Sequence, residues 1–253
     1  MIRKTALALL LAAAGVNAHA ALSAGDIAFT AFNADEDGLS FVALASIEAN
    51  TAIYFSDNEW SGAAFNTGES YNKWTSGNVA VAAGTVIRLS AYDKTTLSAS
   101  VGTLSRETVS GSSNWGIANS NETIYAYLGS NASTPTTFLA AITNGSFSVD
   151  GSLIGTGLTE GVNAIRLNAN APSATPDYAE YTGSRTGEAN FGSYLPALAN
   201  PSNWMVDTTN GSYASAVPDT TAFTVTTVPE PKNYAMFLAG IGLMGFMARR
   251  RSR

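Results

Sequence analysis

The amino-acid sequence predicts an all-β protein: a single β-sandwich body with one short helix, between an N-terminal signal helix and a C-terminal transmembrane helix. Short runs of β-branched and aromatic residues recur along the body, and Gly, Asn, Asp and Ser separate them. A separate apolar run lies near each end of the chain. The body has no interior linker and no repeat at solenoid spacing, so we expect residues 21–227 to form one domain.

Residues 1–20 have the three parts of a secretory signal peptide in their usual order. A positive start precedes the apolar run 6–16, and Ala18-His19-Ala20 forms a small-x-small cleavage site. A buried N-terminal helix is the alternative interpretation, and the order of the three parts argues against it. We therefore expect export, with signal peptidase cutting after Ala20.

Eight runs in the body have the composition of β-strands. They span residues 25–32, 39–46, 51–57, 85–92, 122–129, 137–143, 163–168 and 221–227. Alternation of side chains places Ile53 and Phe55 on one face of their strand. Residues 191–204 are the one segment with a helical pattern, and we expect that helix to stop near Pro201. We interpret residues 98–114, which are rich in Gly, Ser and Asn, as a long loop.

The chain contains one histidine and no cysteine, and the histidine lies in the expected signal peptide. The mature protein therefore lacks the residues for a Ser-His-Asp or Cys-His nucleophile, a Cys/His zinc site or a disulfide. Paired carboxylates are the remaining catalytic groups, and none has a recognisable context. The stretch NSNET at residues 119–123 reads as an ordinary turn entering a strand. We expect no enzymatic activity.

The body is strongly acidic. Residues 21–228 contain six basic and 18 acidic side chains, so their formal charge is −12, whereas the whole chain has −6. The two values differ because most basic residues lie in the two terminal segments. An acidic body repels phosphate backbones, so we expect no nucleic-acid partner. The charge keeps the protein soluble and is compatible with divalent cations.

The C-terminal segment, residues 228–253, combines a Pro-Glu-Pro sequence, an uncharged stretch and a cluster of arginines. As a helix at ~1.5 Å per residue, the uncharged stretch 233–248 spans about 24 Å, slightly less than a hydrocarbon core of ~30 Å. Lys232 and the arginines can snorkel to the headgroups. A buried core helix is the alternative, and the arginines argue against it. We expect a transmembrane helix with cytoplasmic arginines and an exported body.

These three parts resemble the PEP-CTERM sorting signal of Gram-negative bacteria that make exopolysaccharide, a segment also labelled an ice-binding protein C-terminal domain. The residues that carry the resemblance are Val228, Pro229, Glu230, Pro231, Arg249, Arg250 and Arg251. The resemblance implies transient anchoring in the inner membrane, recognition by an exosortase, cleavage near the Pro-Glu-Pro sequence, and delivery to the cell surface or extracellular matrix. The two prolines keep that sequence extended and open to a protease. The label does not imply ice binding.

The body has a second resemblance, to a bacterial extracellular module that is often compared with lamin-tail-like β-sandwiches. The patches that carry it span residues 25–69, 81–90, 114–129 and 181–187. The resemblance implies a sandwich of lamin-tail-like or immunoglobulin-like type and brings no catalytic residues with it.

An acidic loop, NADEDG, raises the question of calcium binding. Asp35 and Asp37 lie at alternate positions, as in an EF-hand loop, but the twelfth position is Leu44 instead of glutamate. Asp57 and Glu59 follow the third expected strand. If the second and third strands form an antiparallel pair, the two acidic loops meet at one end of the sandwich. The four carboxylates then either form a structural calcium site, the one cofactor we consider, or are solvated turn residues, the commoner arrangement.

Aromatic residues cluster after the third expected strand, at Trp60, Phe65, Tyr71 and Trp74. The rings of Trp60 and Trp74 would bind glycans if they were exposed beside carboxylates or amides. The commoner arrangement for loop aromatics is a satellite core over the end of the sandwich.

Taken together, these patterns predict a non-enzymatic, exported surface or extracellular-matrix protein with a structural or adhesive role, and exopolysaccharide is a candidate partner. The alternative is a carbohydrate-binding module or weak glycoside-acting enzyme of the same matrix. That alternative would use Trp60 or Trp74 with nearby carboxylates.

Overall fold

The computed structural model describes residues 21–226. The predicted signal peptide, with Ala18 and Ala20, and the sorting segment lie outside the described residues. The strands, numbered in chain order, are β1 (Ile27–Asn33), β2 (Gly38–Ala43), β3 (Ala52–Ser56), β4 (Tyr71–Thr75), β5 (Val86–Ser90), β6 (Ser98–Ala99), β7 (Thr103–Arg106), β8 (Thr123–Asn131), β9 (Thr134–Thr143), β10 (Ala164–Arg166), β11 (Tyr178–Tyr181) and β12 (Trp204–Val206). The helical elements are a 3-10 helix (Phe191–Tyr194), α1 (Leu195–Leu198) and a second 3-10 helix (Pro201–Asn203).

The strands form two six-stranded sheets. The first sheet has the order β12-β11-β1-β2-β5-β6, and the second has the order β10-β9-β8-β3-β4-β7. Neighbouring strands are antiparallel except β9 and β10, which run parallel. None of the helices within residues 21–226 has the length and apolar character needed to span a bilayer.

Aromatic contacts join the two sheets through one apolar core. The ring of Phe55 on β3 lies 6.3 Å from that of Phe29 on β1 and 5.5 Å from that of Phe41 on β2. Trp74 on β4 packs edge-on against Phe41 at 5.5 Å. All four side chains are buried. Two sheets around a shared core, with one short α-helix, are consistent with the predicted β-sandwich.

Seven of the eight predicted strands are present, with ends that differ by a few residues. The prediction is wrong for residues 221–227, of which those to 226 are described. There the chain is extended but makes a single bridge, between Glu188 and Val225. The backbone N–H of Phe223 donates to the carbonyl of Gly84, in a turn before β5. The segment crosses several loops instead of one neighbouring strand, so no ladder forms.

Five further strands were not predicted: β4, β6, β7, β11 and β12. Strands β6 and β7 lie inside residues 98–114, which the composition predicts to be a loop. β4 has the sequence YNKWT, whose central polar residues obscure a strand pattern. Each of these strands is at most five residues long and depends on its ladder with a neighbouring strand. The predicted helix is present as three short helical turns, and Pro201 begins the last of them instead of ending the helix.

Candidate functional site at the acidic end of the sandwich

Ten acidic residues lie in loops at one end of the two sheets, which we call the acidic end. These loops follow β1, β3, β5 and β12 or precede β2, β4, β8 and β11. The residues are Asp35, Glu36, Asp37, Asp57, Glu59, Glu69, Asp93, Glu122, Asp177 and Asp207. Backbone hydrogen bonds connect the loops, including those from Tyr92 N to Asp37 O and from Ala34 N to Asp177 O. The end therefore concentrates much of the negative charge of the body.

The two loops of the calcium prediction do lie at this end, but the pairing used to place them there is wrong. β2 pairs with β1 and β5, and β3 pairs with β4 and β8. The second and third strands thus belong to opposite sheets. The two loops still meet at this end, because β2 begins there in one sheet and β3 ends there in the other.

Asp57, one of the predicted calcium ligands, is buried just after β3 with 3% of its surface exposed. Its Oδ1 accepts hydrogen bonds from the backbone N–H of Ser70 at 2.7 Å and from the Ser70 hydroxyl at 2.9 Å. Its Oδ2 has no hydrogen-bond partner among the described residues. Burial raises the pKa of Asp57 to about 8. The carboxyl group is therefore largely protonated at neutral pH.

Glu122 is a second buried acid, with 5% of its surface exposed. Its Oε2 accepts a hydrogen bond from the backbone N–H of Ala118 at 2.9 Å. Burial raises its pKa to about 9, and the charge of Asp57 adds to the effect. The sequence predicted residues 119–123 to be an ordinary turn, and the structure corrects this because the turn inserts its glutamate into the interior. Burial of that side chain depends on loops that no local pattern specifies.

Two unpaired polar atoms accompany this buried acid pair. The hydroxyl of Tyr92 and the Oδ1 of Asn72 are buried without hydrogen-bond partners in the described part of the chain. Burial raises the pKa of Tyr92 well above its usual value, and the charge of Asp57 contributes to the shift. The arrangement destabilises ionised carboxylates and so couples the stability of the body to pH.

Two of the other three predicted calcium ligands, Asp35 and Asp37, have separate partners. Asp35 Oδ2 accepts from Tyr213 N at 2.6 Å, and Asp37 Oδ1 accepts from Ile117 N at 2.6 Å. Burial raises the pKa of Asp37 to about 6. The Oε2 of Glu59 is buried and unpaired within residues 21–226.

In the described residues, no group of three or more histidine, aspartate or glutamate side chains is placed to hold a metal ion. The carboxylates of Asp35, Asp37 and Asp57 instead accept hydrogen bonds from the backbone of neighbouring loops, and these bonds hold the loops in place. Calcium binding stays a prediction that the chelator experiment described below tests.

A second acid pair, Asp177 and Asp207, was missed by sequence reasoning. Burial raises the pKa of Asp177, and the charges of Asp35 and Asp207 raise it further. Asp207 has a pKa below its usual value because the hydroxyl of Thr209 and the backbone N–H of Gly211 donate to it, both at 2.6 Å. These acids flank β11 and β12, two short strands that no sequence pattern indicated.

The two tryptophans of the glycan prediction are both buried. Trp74 is 0% exposed on β4, and its indole N–H donates to Val101 O at 2.7 Å. Trp60 is 8% exposed, and its indole N–H donates to Ile154 O at 2.9 Å. Neither ring offers a face to a sugar in this conformation, because the hydrophobic effect favours packing these large rings inside.

Trp60 belongs instead to a satellite core on the outer face of the second sheet. The buried members of this core are Trp60, Tyr125, Tyr127, Phe138, Ala141, Phe147, Leu158 and Ala164. Phe65 packs against it, with its ring 5.1 Å from that of Trp60. The sequence analysis considered a satellite core over the end of the sandwich, and the structure has one on the outer face of the second sheet instead. Trp74 and Tyr71 do not fit it, because they lie on a strand that the sequence analysis interpreted as loop.

One tryptophan that the sequence analysis did not single out is partly exposed at the acidic end. Trp115 belongs to neither hydrophobic cluster of the described residues. The guanidinium carbon of Arg106 lies over its ring, 4.2 Å from the centroid. A Gly- and Ser-rich setting, GSSNWG, gave the only sequence signal for a displayed ring.

Comparison with known proteins identifies the C-terminal segment. A model of the PEP-CTERM protein-sorting motif matches residues 227–251. No curated protein and no solved structure matches the chain. The motif indicates an exported protein that an exosortase sorts, with membrane-associated sorting before surface display. The likeness of the body to a lamin-tail-like module has no support from a relative or a solved structure.

Proposed function

We propose that the body is a non-enzymatic structural or adhesive component of the cell surface or extracellular matrix. The sorting motif at residues 227–251 carries the proposal, because an exosortase substrate is exported and displayed outside the cell. The fold suits that location: its two sheets share an apolar core, and its stability needs no disulfide. Exopolysaccharide is the partner that such a location makes available.

The chemistry of the described residues supports a role without catalysis. Residues 21–226 contain no histidine and no cysteine, so the usual nucleophile systems cannot form there. The carboxyl pair with the strongest pKa shifts, Asp57 and Glu122, is almost fully buried. A carboxyl pair that hydrolyses glycosides must reach the bond that it cleaves, and this pair has no such access in the present conformation.

The sorting route follows from the two terminal segments. Signal peptidase removes residues 1–20 at the site formed by Ala18 and Ala20. The uncharged stretch 233–248, which the sequence predicts to be a transmembrane helix, then holds the chain in the inner membrane, with Arg249, Arg250 and Arg251 on the cytoplasmic side. An exosortase cuts near the Val228-Pro229-Glu230-Pro231 segment and releases the body.

The carbohydrate-binding or glycoside-acting alternative through Trp60 or Trp74 is less well supported. Both indole rings pack inside and donate to backbone carbonyls. Binding through either ring would require it to leave an apolar cluster.

Cell fractionation with mass spectrometry of both termini tests the proposal. We expect wild-type protein at the surface or in the matrix, beginning after Ala20 and ending near Pro229 to Pro231. Glu230→Ala should accumulate as a longer membrane-bound form. Glu160→Ala, which changes an exposed glutamate of the body, is the matched control and should be processed normally. Cytosolic protein that retains residues 1–20, or equal release of wild type and Glu230→Ala, would contradict the proposal.

A further inference from the structure

The four tryptophans of the chain have different environments. Trp60, Trp74 and Trp204 are at most 8% exposed and belong to the hydrophobic clusters. Trp115 alone lies outside these clusters and remains partly exposed. A large apolar ring at the surface loses the burial energy that keeps the other three inside. Its position at the surface therefore needs a reason other than core packing.

One face of the Trp115 ring packs against the guanidinium of Arg106, whose position is fixed by hydrogen bonds. Arg106, the last residue of β7, places its guanidinium 4.2 Å from the ring centroid. The guanidinium donates hydrogen bonds to the carbonyls of Tyr92 and Lys94, the latter at 2.9 Å. Within residues 21–226, Trp115 makes no contact with another aromatic ring that would cover its opposite face. The ring is thus supported from one side by a group that is itself held in place.

The backbone on both sides of Trp115 is also fixed. The N–H of Asn114 and the hydroxyl of Ser113 both donate to the carbonyl of Gly68, at 3.0 and 3.2 Å. On the other side, Ile117 N donates to the Asp37 carboxylate at 2.6 Å. A ring held in this way is ordered before any ligand arrives, and this lowers the entropic cost of binding.

Hydrogen-bonding groups lie next to the ring. The side-chain amide of Asn114 is exposed and donates to Glu69 Oε2 at 2.7 Å. The pair leaves the carbonyl oxygen of Asn114 and the Oε1 of Glu69 without partners among the described residues. An amide and a carboxylate beside an aromatic face match the chemistry of a pyranose ring, which has an apolar C–H face and hydroxyls at its edge.

We propose that Trp115, with Asn114 and Glu69, is a binding platform for neutral polysaccharides. The inference rests on the proposed surface or matrix function and names the ligand class of that role. The charge of the body selects within this class: residues 21–226 carry 18 acidic and six basic side chains, so they repel uronate polymers. The sugar stacks on the face of Trp115 opposite Arg106, and its hydroxyls bond to Asn114 and Glu69.

Affinity electrophoresis of the full-length protein in a neutral detergent tests the platform. The gel contains hydroxyethylcellulose as the neutral probe or alginate as the anionic one. We expect hydroxyethylcellulose to retard the wild type and alginate to have little effect. Trp115→Ala should weaken retardation by about thirtyfold, as loss of an aromatic anchor does. Tyr54→Ala, which removes a partly exposed ring stacked on Tyr127, is the matched control and should bind normally.

A measurement on the wild type avoids dependence on the folding of the variant. N-bromosuccinimide should oxidise Trp115 before the three buried tryptophans, and mass spectrometry of the peptides identifies the oxidised residue. Hydroxyethylcellulose should slow the oxidation of Trp115, and alginate should not. The proposal would be overturned by any of three results: hydroxyethylcellulose does not slow the oxidation of Trp115, wild type and Trp115→Ala are retarded equally, or the protein prefers alginate. Fractionation is scored separately, so surface delivery without polysaccharide binding refutes the platform alone.

Discussion

The buried acid pair makes a testable prediction about pH and stability, and Asp57→Asn is the perturbation. The amide keeps the oxygen that accepts from Ser70 N and its hydroxyl, at 2.7 and 2.9 Å in the wild type. It removes the proton equilibrium of the carboxyl group. Glu160→Gln is the matched control, because its glutamate is exposed and 4.0 Å from its nearest cation, Arg166.

The magnitude follows from the shift in pKa. Asp57 titrates near 3.8 when unfolded and at about 8 when folded, so the folded state retains the proton longer. The free energy of unfolding of the wild type therefore falls as pH rises from about 4 to about 8, and this contribution is constant above pH 8. At pH 7 the shift amounts to roughly three pKa units at ~1.4 kcal/mol each, or about 4 kcal/mol. That is a large share of a typical domain stability of ~5–15 kcal/mol.

Urea denaturation at pH 4, 5.5, 7 and 8.5 measures the effect. The unfolding free energy of Asp57→Asn minus that of the wild type should rise by about 4 kcal/mol between pH 4 and pH 7. The same difference for Glu160→Gln should stay constant. A difference for Asp57→Asn that does not change across this range would refute the conclusion that burial holds the proton on Asp57. Glu122→Gln should show the same trend, and the two effects should not add, because the charge of Asp57 raises the pKa of Glu122.

Three further predictions concern the core, one turn and calcium. Trp74→Ala should destabilise the body by about 3–5 kcal/mol, because it empties a fully buried site, whereas Met205→Ala, at 38% exposure, should change stability by less than about 0.5 kcal/mol. Gly102→Ala should cost more than Gly77→Ala: both have positive φ, but only a Cβ at position 102 would overlap the carbonyl oxygen of Thr75. Adding a chelator should leave the melting temperature unchanged, because the carboxylates of Asp35, Asp37 and Asp57 already accept hydrogen bonds from backbone N–H groups of separate loops.

The outcomes that contradict these three predictions are distinct. Equal urea midpoints for Trp74→Ala and Met205→Ala would mean that the core between the sheets is not packed as described. Equal losses of stability for the two glycine variants would mean that only the positive φ matters, and that a Cβ at position 102 does not overlap the carbonyl oxygen of Thr75. A melting temperature that falls with chelator and recovers with added calcium would show that a calcium site exists despite the separate partners of the acids.

Seven strands are predictable from the sequence because their patterns are local. The segments around Phe29, Phe41 and Phe55 place apolar side chains on one face, and turn residues bound them. β4 and β11 are not predictable in this way, because they are short and carry polar residues such as Asn72. They become strands only because neighbouring strands supply hydrogen-bond partners, β3 and β7 for β4, and β1 and β12 for β11.

The candidate site is less predictable than the fold. Asp57 stands out because it ends a predicted strand beside an acidic loop. Glu122, Asp177 and Trp115 do not stand out, because similar residues in turns are usually solvated. The raised pKa of Glu122 depends on burial and on the charge of Asp57, which is 65 positions away in the sequence.

The sequence by itself determines the sorting motif and the lack of cysteine, because both depend only on which residues are present and in what order. Only the tertiary structure decides which acids and rings are buried. Asp57 and Glu122 share an interior, Trp60 and Trp74 leave the surface, and Trp115 stays partly exposed on Arg106. These outcomes depend on loops from two different sheets that meet at one end. Burial there, and not residue type, sets the pKa values of the carboxyl groups and decides which aromatic rings a ligand can reach.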